Sequence, residues 1–408
     1  MKAKQVMAFL AALVLTTGSA PLMASASDAA AETPAATDTV FAGGSGTEED
    51  PWQVSDADQL KAVNDHLDGN FILTADIDLK GEEIEPIGAM IPVGSEGEDA
   101  ETPTPEKAFT GVFDGDDHTI SNYKITGEKD EFGIGLFGCL TGDTATVKDL
   151  NVENASVTGE ASLVGAVIGY QDAAISGIHL SGTNTVSGTG LVGGVSGGAM
   201  DDISDCSATA DVSMTAADAQ GAGVLVGGLE NGSLEDCSVT GGSVTATQSG
   251  VFSVGGLSGC FQNSEYAKNC NVSDVTVTVG ENAAMVGALS GHAGRDGGNK
   301  TEISNCSATN VTITAGQGTE RVGGISGSGF YMSKYKEAYA EPCAMAIKDC
   351  TVTDLAIEDA PAAAGLLLGY AYTDSTVENS QGTGSIDGKE TDLQIGADAD
   401  SLPLEKLK

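Results

Sequence analysis

Short apolar stretches bracketed by glycine recur along most of this chain, and they decide its predicted architecture. The clearest copy is VGGLSG, at residues 254–259, and variants of it occur before and after this point. The intervals between successive copies run from 27 to 42 residues. A repeat of this length predicts a solenoid, in which each unit buries its apolar residues only against its neighbours. The first glycines of the copies are Gly138, Gly165, Gly193, Gly227, Gly255, Gly287, Gly323 and Gly365.

A second pattern follows each glycine segment: two inward-facing residues lie three positions apart. Strict strand alternation would place them on opposite faces, so the chain has to bend between them. The residue before the second inward position is always Gly, Asn or Asp, the types that most readily adopt the left-handed conformation. We therefore predict positive φ at a column of bend residues. They are Asp149, Gly177, Asp205, Asp236, Asn269, Asn305, Asp349 and Asn379.

In five successive repeats the residue after the bend is cysteine. A zinc site would need closely paired cysteines. Side chains one rung apart have parallel Cβ vectors, which suit a disulfide poorly. We interpret the column as a buried ladder of small apolar side chains, made of Cys206, Cys237, Cys270, Cys306 and Cys350. Cys260 and Cys343 fall in predicted loops, and a bridge between them is left open.

The N-terminal part contains a helix signal and several strand signals. Ser55 and Asp56 are both candidate N-caps, and Gln59 follows Asp56 at the capping-box distance, so we predict a short helix over 56–67 that covers an exposed strand edge. Residues 71–79 alternate as a strand does. Residues 96–107 have a loop composition, and residues 109–125 are typical of two short strands about a Gly-Asp turn.

Together these patterns predict an all-β fold, a right-handed parallel β-helix with a short N-terminal capping helix. Each repeat supplies three short strands, and eight rungs at about 4.8 Å each give roughly 40 Å of solenoid. A β-propeller is the second interpretation, but its blades need longer repeats and more aromatic residues.

The ends of the chain have their own composition. Lys2 and Lys4 precede an apolar run and a small-residue site at 24–26, a pattern typical of a secretory signal peptide. The run is too short for a membrane span, so we expect none after the signal is removed. The predicted divisions are a signal peptide at 1–26, a flexible linker at 27–40, an N-terminal cap with the first strands at 41–134, the repeat β-helix at 135–385 and a C-terminal cap or tail at 386–408.

The charge balance is strongly acidic, with 59 Asp and Glu against 18 Lys and Arg and a net charge of −41. Such a surface repels nucleic acid and anionic membranes. Asp114, Asp116 and Asp117 form the densest acidic run, which we interpret as a solvated turn, since a calcium site needs more converging oxygens. We predict no metal site and no cofactor, with Ca²⁺ as the one weak alternative.

These repeats, the lead-in GTEEDPW, the strand ADIDL and the stretch FTGVFDGDDHTISN resemble proteins that carry the GLUG motif. The resemblance covers residues 41–385. It implies a secreted or surface protein of bacteria with a pectin-lyase-like β-helix. Asp117 stands where that family's usual pattern has glycine. The metallopeptidase motif HExxH, found in some large members, is missing from this sequence.

Three insertions indicate where such a protein would bind a ligand. They occupy 261–267, 292–302 and 329–346, and they concentrate aromatic and basic residues. We predict a contact patch of Tyr331, Tyr335, Tyr339, Arg295 and Lys334. The sequence favours a secreted, non-catalytic, adhesin-like module, extracellular or held at the cell surface, whose partner is a host or bacterial glycan or an extracellular protein. A polysaccharide lyase or glycoside hydrolase and a purely structural spacer are the alternatives.

Overall fold

The computed structural model describes residues 40–91, 104–128, 131–295, 299–331 and 341–398. Within these ranges the chain forms a parallel β-solenoid of about eight turns, with a single short α-helix near its N-terminal end. This confirms the all-β solenoid that the repeats predicted. The right-handed course and the pectin-lyase-like detail stay predictions.

Each complete turn contributes five short strands rather than the three that the sequence predicted. Strands of successive turns pair in parallel and form five stacks, which we number in the order in which the chain passes through them. The glycine segment supplies two of the five strands, because the chain folds back sharply within it. The bend column divides another apparent strand into two.

The strand bounds follow this order. Stack 1 contains Trp52–Val54, Asn70–Leu73, Val112–Asp114, Ile203–Ser204, Leu234–Glu235, Tyr266–Lys268, Thr301–Ser304, Met345–Lys348 and Thr376–Glu378. Stack 2 contains Ile77–Asp78, Thr119–Ser121, Ser207–Ala208, Ser238–Thr240, Asn271–Ser273 and Ser307–Thr309. Stack 3 contains Lys124–Gly127, Ser156–Gly159, Thr185–Gly188, Asp211–Met214, Ser243–Ala246, Thr276–Val279 and Thr312–Thr314.

Longer strands and hairpins complete the assignment. Thr146–Glu153 and Ile175–Ser181 run through stacks 1 and 2, and Thr351–Glu358 and Gln381–Ile386 run through stacks 2 and 3. Stack 4 contains Gly133–Ile134, Leu163–Gly165, Leu191–Gly193, Gly221–Gly223, Ser253–Gly255, Met285–Gly287, Arg321–Gly323 and Ala363–Gly365. Stack 5 contains Phe137–Thr141, Ile168–Asp172, Ser196–Ala199, Val226–Glu230, Ser258–Gln262, Ser290–Gly294, Ser326–Tyr331, Leu368–Ala371 and Ile395–Asp398. Antiparallel hairpins are formed by Ala89–Ile91 with Thr104–Lys107, by Glu341–Pro342 with the end of Ser326–Tyr331, and by Lys389–Thr391 with Gln381–Ile386.

The helix is shorter than predicted. It spans Ala57–Ala62 and continues as a 3₁₀ turn over Val63–Asp65. Asp56 is its N-cap, and its carboxylate accepts hydrogen bonds from the backbone N–H groups of Asp58 and Gln59. Leu60 and Val63 are fully buried in the main core. The helix therefore covers the N-terminal end of the solenoid interior, where a bare strand edge would otherwise be exposed.

Two strand predictions in the N-terminal part were too coarse. The run at 71–79 is divided into Asn70–Leu73 and Ile77–Asp78. The segment at 109–125 contains the start of each of three strands instead of two, with left-handed residues at Asp116, Asp117 and Asn122 between them. The reason is geometric: each segment has to pass a corner of the solenoid, which the alternation of side chains does not reveal.

The register also corrects the alignment of the repeats. Gly193 of stack 4 pairs with Gly223, whereas Gly227 lies in stack 5, beside the pair Ser196 and Val226. Gly138 likewise lies in stack 5, next to the pair Phe137 and Ile168. Two of the eight predicted first glycines therefore belong to a second glycine column. One column lies in each arm of the fold-back between stacks 4 and 5.

These glycines are required because the two arms touch backbone to backbone. A Cβ built on Gly197 would lie 2.4 Å from the backbone nitrogen of Val164, and one on Gly227 would lie 2.5 Å from that of Val192. Real Cβ atoms do not approach so closely, so no side chain fits at these positions. The fold-back thus exists only where the sequence supplies glycine in both arms.

The bend column has the left-handed conformation that was expected. All eight bend residues have φ between 48° and 64°. Among described residues other than glycine, only Lys80 has positive φ without being Asp or Asn. Asn269 and Asp236, neighbours in this column, are also joined by a side-chain bond, since the amide of Asn269 donates to the Asp236 carboxylate over 2.8 Å. At this pair the column combines a backbone conformation with a rung-to-rung hydrogen bond.

Replacing Asp236 by Val is expected to destabilise the protein by about 1–2 kcal/mol, because a β-branched residue is strained at positive φ. Asp236→Gly should cost less, since glycine adopts this conformation freely. Urea unfolding of both variants measures the difference, with Thr240→Val on the neighbouring strand as the control. Equal losses for Val and Gly would show that the side-chain bond, and not backbone strain, determines the residue type.

Candidate functional site

The three predicted insertions do emerge together. Each range joins a stack 5 strand to a stack 1 strand, in three successive turns, and we call the side of the solenoid that they form the insertion face. The first range was wrongly predicted to be an insertion, because its connection, 263–265, is no longer than those of the two preceding turns, whereas the other two connections are lengthened. The third insertion contains the hairpin in which Phe330 pairs with Pro342 and Tyr331 with Glu341. Phe261, counted among the aromatic residues of this face, is instead fully buried in the core.

The predicted contact residues have different outcomes. Arg295 lies on the insertion face, where its guanidinium is 3.4 Å from the Glu265 carboxylate. Its carbonyl oxygen accepts a hydrogen bond from the Cys343 thiol over 3.1 Å, which ties the second insertion to the base of the third. Tyr331 lies at the start of the hairpin. Lys334, Tyr335 and Tyr339 lie outside the described residues.

A neighbouring polar group on stack 1 was missed by the sequence reasoning. The Lys268 ammonium is 2.6 Å from one oxygen of Glu235, and the hydroxyl of half-buried Tyr266 donates to the other oxygen over 3.4 Å. The Glu235 carboxylate raises the pKa of Lys268. Burial, with Glu235 nearby, raises the pKa of Tyr266. The sequence could have indicated this ion pair, since Glu235 and Lys268 occupy equivalent positions in consecutive repeats.

The basic residues of this face that the structure describes are already partnered. Lys300 donates to the backbone oxygen of Asp374, Lys268 contacts Glu235 and Arg295 contacts Glu265. The described part of the face therefore presents paired charges and a tyrosine, and the contact patch with Lys334 stays a prediction. Paired charges suit hydrogen bonding to a polar partner better than attraction of an anion.

A second polar group is buried between stacks 4 and 5. His292 and Ser253 are fully buried, and the His292 Nδ1 atom is 2.8 Å from the Ser253 hydroxyl oxygen. Arg321 lies nearby, with its guanidinium 3.4 Å from the Ser328 hydroxyl and 3.1 Å from the Glu320 carboxylate. No pattern in the sequence indicates this group, because its members come from different stacks and are dozens of residues apart in the chain.

The geometry of the buried pair differs from that of a catalytic pair. The Ser253 hydroxyl donates to the carbonyl oxygen of Gly259 over 2.6 Å, so its proton does not point to the imidazole. The imidazole therefore donates through Nδ1 and serves as a structural hydrogen-bond donor. Burial, with the Arg321 charge close by, lowers the pKa of His292 to about 3. The pair is thus neutral and enclosed, which suits a structural role.

The cysteine ladder has a specific role at the bend. All five of its side chains are buried, and the structure contains them as free thiols. Each thiol donates to the carbonyl oxygen two residues earlier, for example from Cys206 to Ser204 over 3.1 Å. The Ser380 hydroxyl makes the equivalent bond over 2.8 Å. Neighbouring ladder thiols and burial raise the pKa of Cys237 and Cys306.

Cys260 and Cys343 are free thiols as well. We had predicted that Cys260 lies in a loop, but it lies on the strand Ser258–Gln262. Burial, together with the Glu230 charge, raises its pKa to about 12. Both thiols are buried, so neither has the exposure of a reactive cysteine.

The acidic turn considered for calcium is engaged by a lysine. The Asp114 carboxylate contacts the Lys148 ammonium and also accepts from the backbone N–H of Asp116 over 2.9 Å. Within the described ranges no three His, Cys, Asp or Glu side chains are grouped as metal ligands would be. None of the helices in these ranges has the length and apolarity of a membrane span.

Comparison with known proteins identifies the repeat. Residues 188–213 and 218–245 match the GLUG motif, which confirms the resemblance seen in the sequence. Halomucin of Haloquadratum walsbyi is 35% identical over 170 residues, which is 38% of this chain and 2% of that protein. A candidate Gly-rich membrane protein of Evansella cellulosilytica is 31% identical over 147 residues, 35% of this chain and 16% of that protein. The chain thus spans a small part of either relative.

A comparison of structures matches this chain to two solved structures. One is a candidate immunoglobulin A1 protease from Bacteroides ovatus, with 19% identity, 88% of this chain and 86% of that chain covered, and a TM-score of 0.47. The other is an IgA1 protease with 18% identity, 80% and 23% coverage, and a TM-score of 0.40.

Proposed function

We propose that this GLUG-repeat β-solenoid is a secreted, non-catalytic, adhesin-like module that binds an extracellular glycan or protein through its insertion face. The observation that carries the proposal is the departure from solenoid geometry at this face. Two successive connections between stacks 5 and 1 are lengthened, those after Ser290–Gly294 and after Ser326–Tyr331, and the second of them contains an antiparallel hairpin. Repeat proteins bind along a lateral surface where per-repeat insertions accumulate.

The side chains of the face support this function. Tyr266 offers a half-buried ring whose hydroxyl lies at the surface beside Glu235 and Lys268. Such groups give apolar contact area together with hydrogen-bond donors and acceptors, and a tyrosine has few rotamers to immobilise. Tyr331 belongs to the strand that begins the hairpin of the third insertion, and the sequence that follows contains Tyr335 and Tyr339.

Export and surface location form part of the proposal. The first 26 residues have the pattern of a secretory signal, and the acid excess favours solubility outside the cell. One relative is named as a membrane protein and another as a halomucin, names that support surface association for a chain of this kind. The buried, neutral Ser253 and His292 pair supports a binding role over a hydrolytic one.

Shortening the third insertion tests the proposal. Residues 332–340 are replaced by a two-residue turn, and binding to a glycan array and to intact cells is compared with that of the full chain. We expect binding to weaken by about tenfold or more, because the central contacts of an interface dominate its affinity. Each of Tyr266→Ala, Tyr331→Ala, Tyr335→Ala and Tyr339→Ala should cost at least about 1 kcal/mol of binding.

The chain offers a matched control. The hairpin of Ala89–Ile91 with Thr104–Lys107 interrupts stack 5 in the first turn, between the bridges of Ile87 to Phe137 and of Phe109 to Leu140. Replacing residues 92–103 by the same turn removes a comparable loop far along the solenoid. Binding should survive this change. If the control weakens binding as much as the test variant, or if neither does, the insertion face is structural and the proposal is wrong.

A further inference from the structure

Stack 3 presents an unusually regular polar surface. Each of the seven strands that lie in stack 3 alone has the order polar, β-branched, polar, as in Ser243-Val244-Thr245 and Thr276-Val277-Thr278. The central residues point inward and are at most 1% exposed, and they are Ile125, Val157, Val186, Val212, Val244, Val277 and Ile313. The two flanking residues of each strand point outward. The rigid core therefore fixes two parallel rows of outward side chains.

The rows consist almost entirely of hydroxyl groups. Row one contains Ser156, Thr185, Asp211, Ser243, Thr276 and Thr312. Row two contains Thr126, Thr158, Ser187, Ser213, Thr245, Thr278 and Thr314. All these residues are at least partly exposed. The pairings between them contain no register shift, so each hydroxyl has its equivalent on the next rung. We call this surface the hydroxyl face.

The face differs in charge from the rest of the protein. The chain has a net charge of −41, yet over six consecutive rungs Asp211 is the only charged residue in either row. Lys124 and Glu358 lie at the two ends of the rows. The rows contain no aromatic residue, and they lie on the outer side of the sheet. A partner that suits this face is therefore uncharged, hydrogen-bonding and flat.

The spacing of the rows further restricts the kind of partner that fits this face. Rungs lie about 4.8 Å apart, and alternate residues on a strand lie about 6.6 Å apart. The hydroxyls consequently form a two-dimensional lattice, and the lattice continues over six rungs in both rows. The surface of ice is a rigid, uncharged lattice of water oxygens with similar repeats in two directions. A lattice of fixed hydroxyls can hold water in that arrangement at small entropic cost, since the side chains are already in place.

We propose that the hydroxyl face binds ice. The row hydroxyls donate to and accept from water oxygens of the crystal surface, and the threonine methyl groups fill the spaces between them. Some row-one hydroxyls also bond to the next rung, as Thr185 donates to the Ser156 hydroxyl over 3.2 Å and Ser243 donates to the Asp211 carboxylate over 2.7 Å, which holds these side chains in place. Asp211 is a defect in the lattice, because a carboxylate retains its own hydration shell.

The test uses the full chain in a freezing assay. Thermal hysteresis and inhibition of ice recrystallisation are measured for the wild type and for the double variant Thr245→Tyr, Thr278→Tyr, which places bulk in the centre of row two. We expect the wild type to show both activities and the double variant to lose them. Ser176→Tyr with Ser204→Tyr, on the outward side of stack 1, is the matched control and should retain both activities.

A gain-of-function variant keeps the test independent of folding defects. Asp211→Thr completes row one, so it should increase thermal hysteresis above that of the wild type. A wild type without either activity would overturn the proposal, as would an Asp211→Thr variant with unchanged activity. Retention of the wild type on an insoluble neutral polysaccharide, abolished by the row-two variant, would overturn it in favour of a glycan surface. Shortening residues 332–340 should weaken ligand binding at the insertion face and leave ice binding intact. The two proposals can therefore fail independently.

Discussion

Replacing Gly197 by Ala is expected to destabilise the solenoid by about 3 kcal/mol or more, since forced overpacking costs about 1–3 kcal/mol even where side chains can move. The added Cβ would lie 2.4 Å from the backbone nitrogen of Val164 and 2.8 Å from the carbonyl oxygen of Gly169. Both contacts are with backbone, which cannot rotate away. The two arms of the fold-back would have to separate, and they contribute to the core along the whole solenoid.

The next residue provides the control. A Cβ on Gly198 would meet only the end of the Leu163 side chain, at 3.0 Å and 3.3 Å. That side chain can change its rotamer, so Gly198→Ala should cost much less. Denaturant unfolding of the two single variants gives the comparison. Similar losses at both positions would mean that intrinsic strand propensity, and not contact between the arms, explains the glycine columns.

The second large effect is expected on acidification. The folded-state pKa of His292 is about 3, against an ordinary value of 6.5, because burial and the Arg321 charge disfavour the imidazolium. Between these values the unfolded chain binds a proton that the folded protein does not. The contribution of His292 is therefore complete above pH 6.5 and is lost as the pH falls towards 3. At about 1.4 kcal/mol per unit, lowering the pH from 7 to 4 should cost about 3 kcal/mol.

Comparison with His292→Asn isolates this contribution. Asparagine can still donate to the Ser253 hydroxyl, but it does not titrate. Burial raises the pKa of Glu320, which Arg321 opposes, and burial raises that of Asp172, so these carboxyls add slopes of their own in both proteins. The unfolding free energy is measured from pH 7 to pH 4. Parallel curves for the two proteins would show that the imidazole is hydrated or charged in the folded state.

The sequence alone determined the class of the fold, because the glycine segments and bend residues repeat at a spacing that only stacked units satisfy. It also determined the bend column, since positive φ restricts the residue type at each single position. The helix start was located to Ser55 or Asp56 for a similar reason, because the hydrogen bonds of an N-cap lie within three residues, and the structure shows that Asp56 is the cap. In each case the deciding interaction is local or is repeated identically in every rung.

The tertiary structure decided what depends on contacts between turns. Gly227 and Gly223 both fit the glycine pattern, and only the pairing of Gly193 with Gly223 shows which one continues stack 4. The Ser253 and His292 pair forms because stacks 4 and 5 fold against each other, a contact that no spacing in the sequence encodes. The sequence indicated a concentration of basic residues on the insertion face, but not that the described ones have partners from other rungs, as Lys268 has in Glu235. Side-chain identity therefore fixed the conformation of each corner, whereas the register between turns fixed which side chains meet.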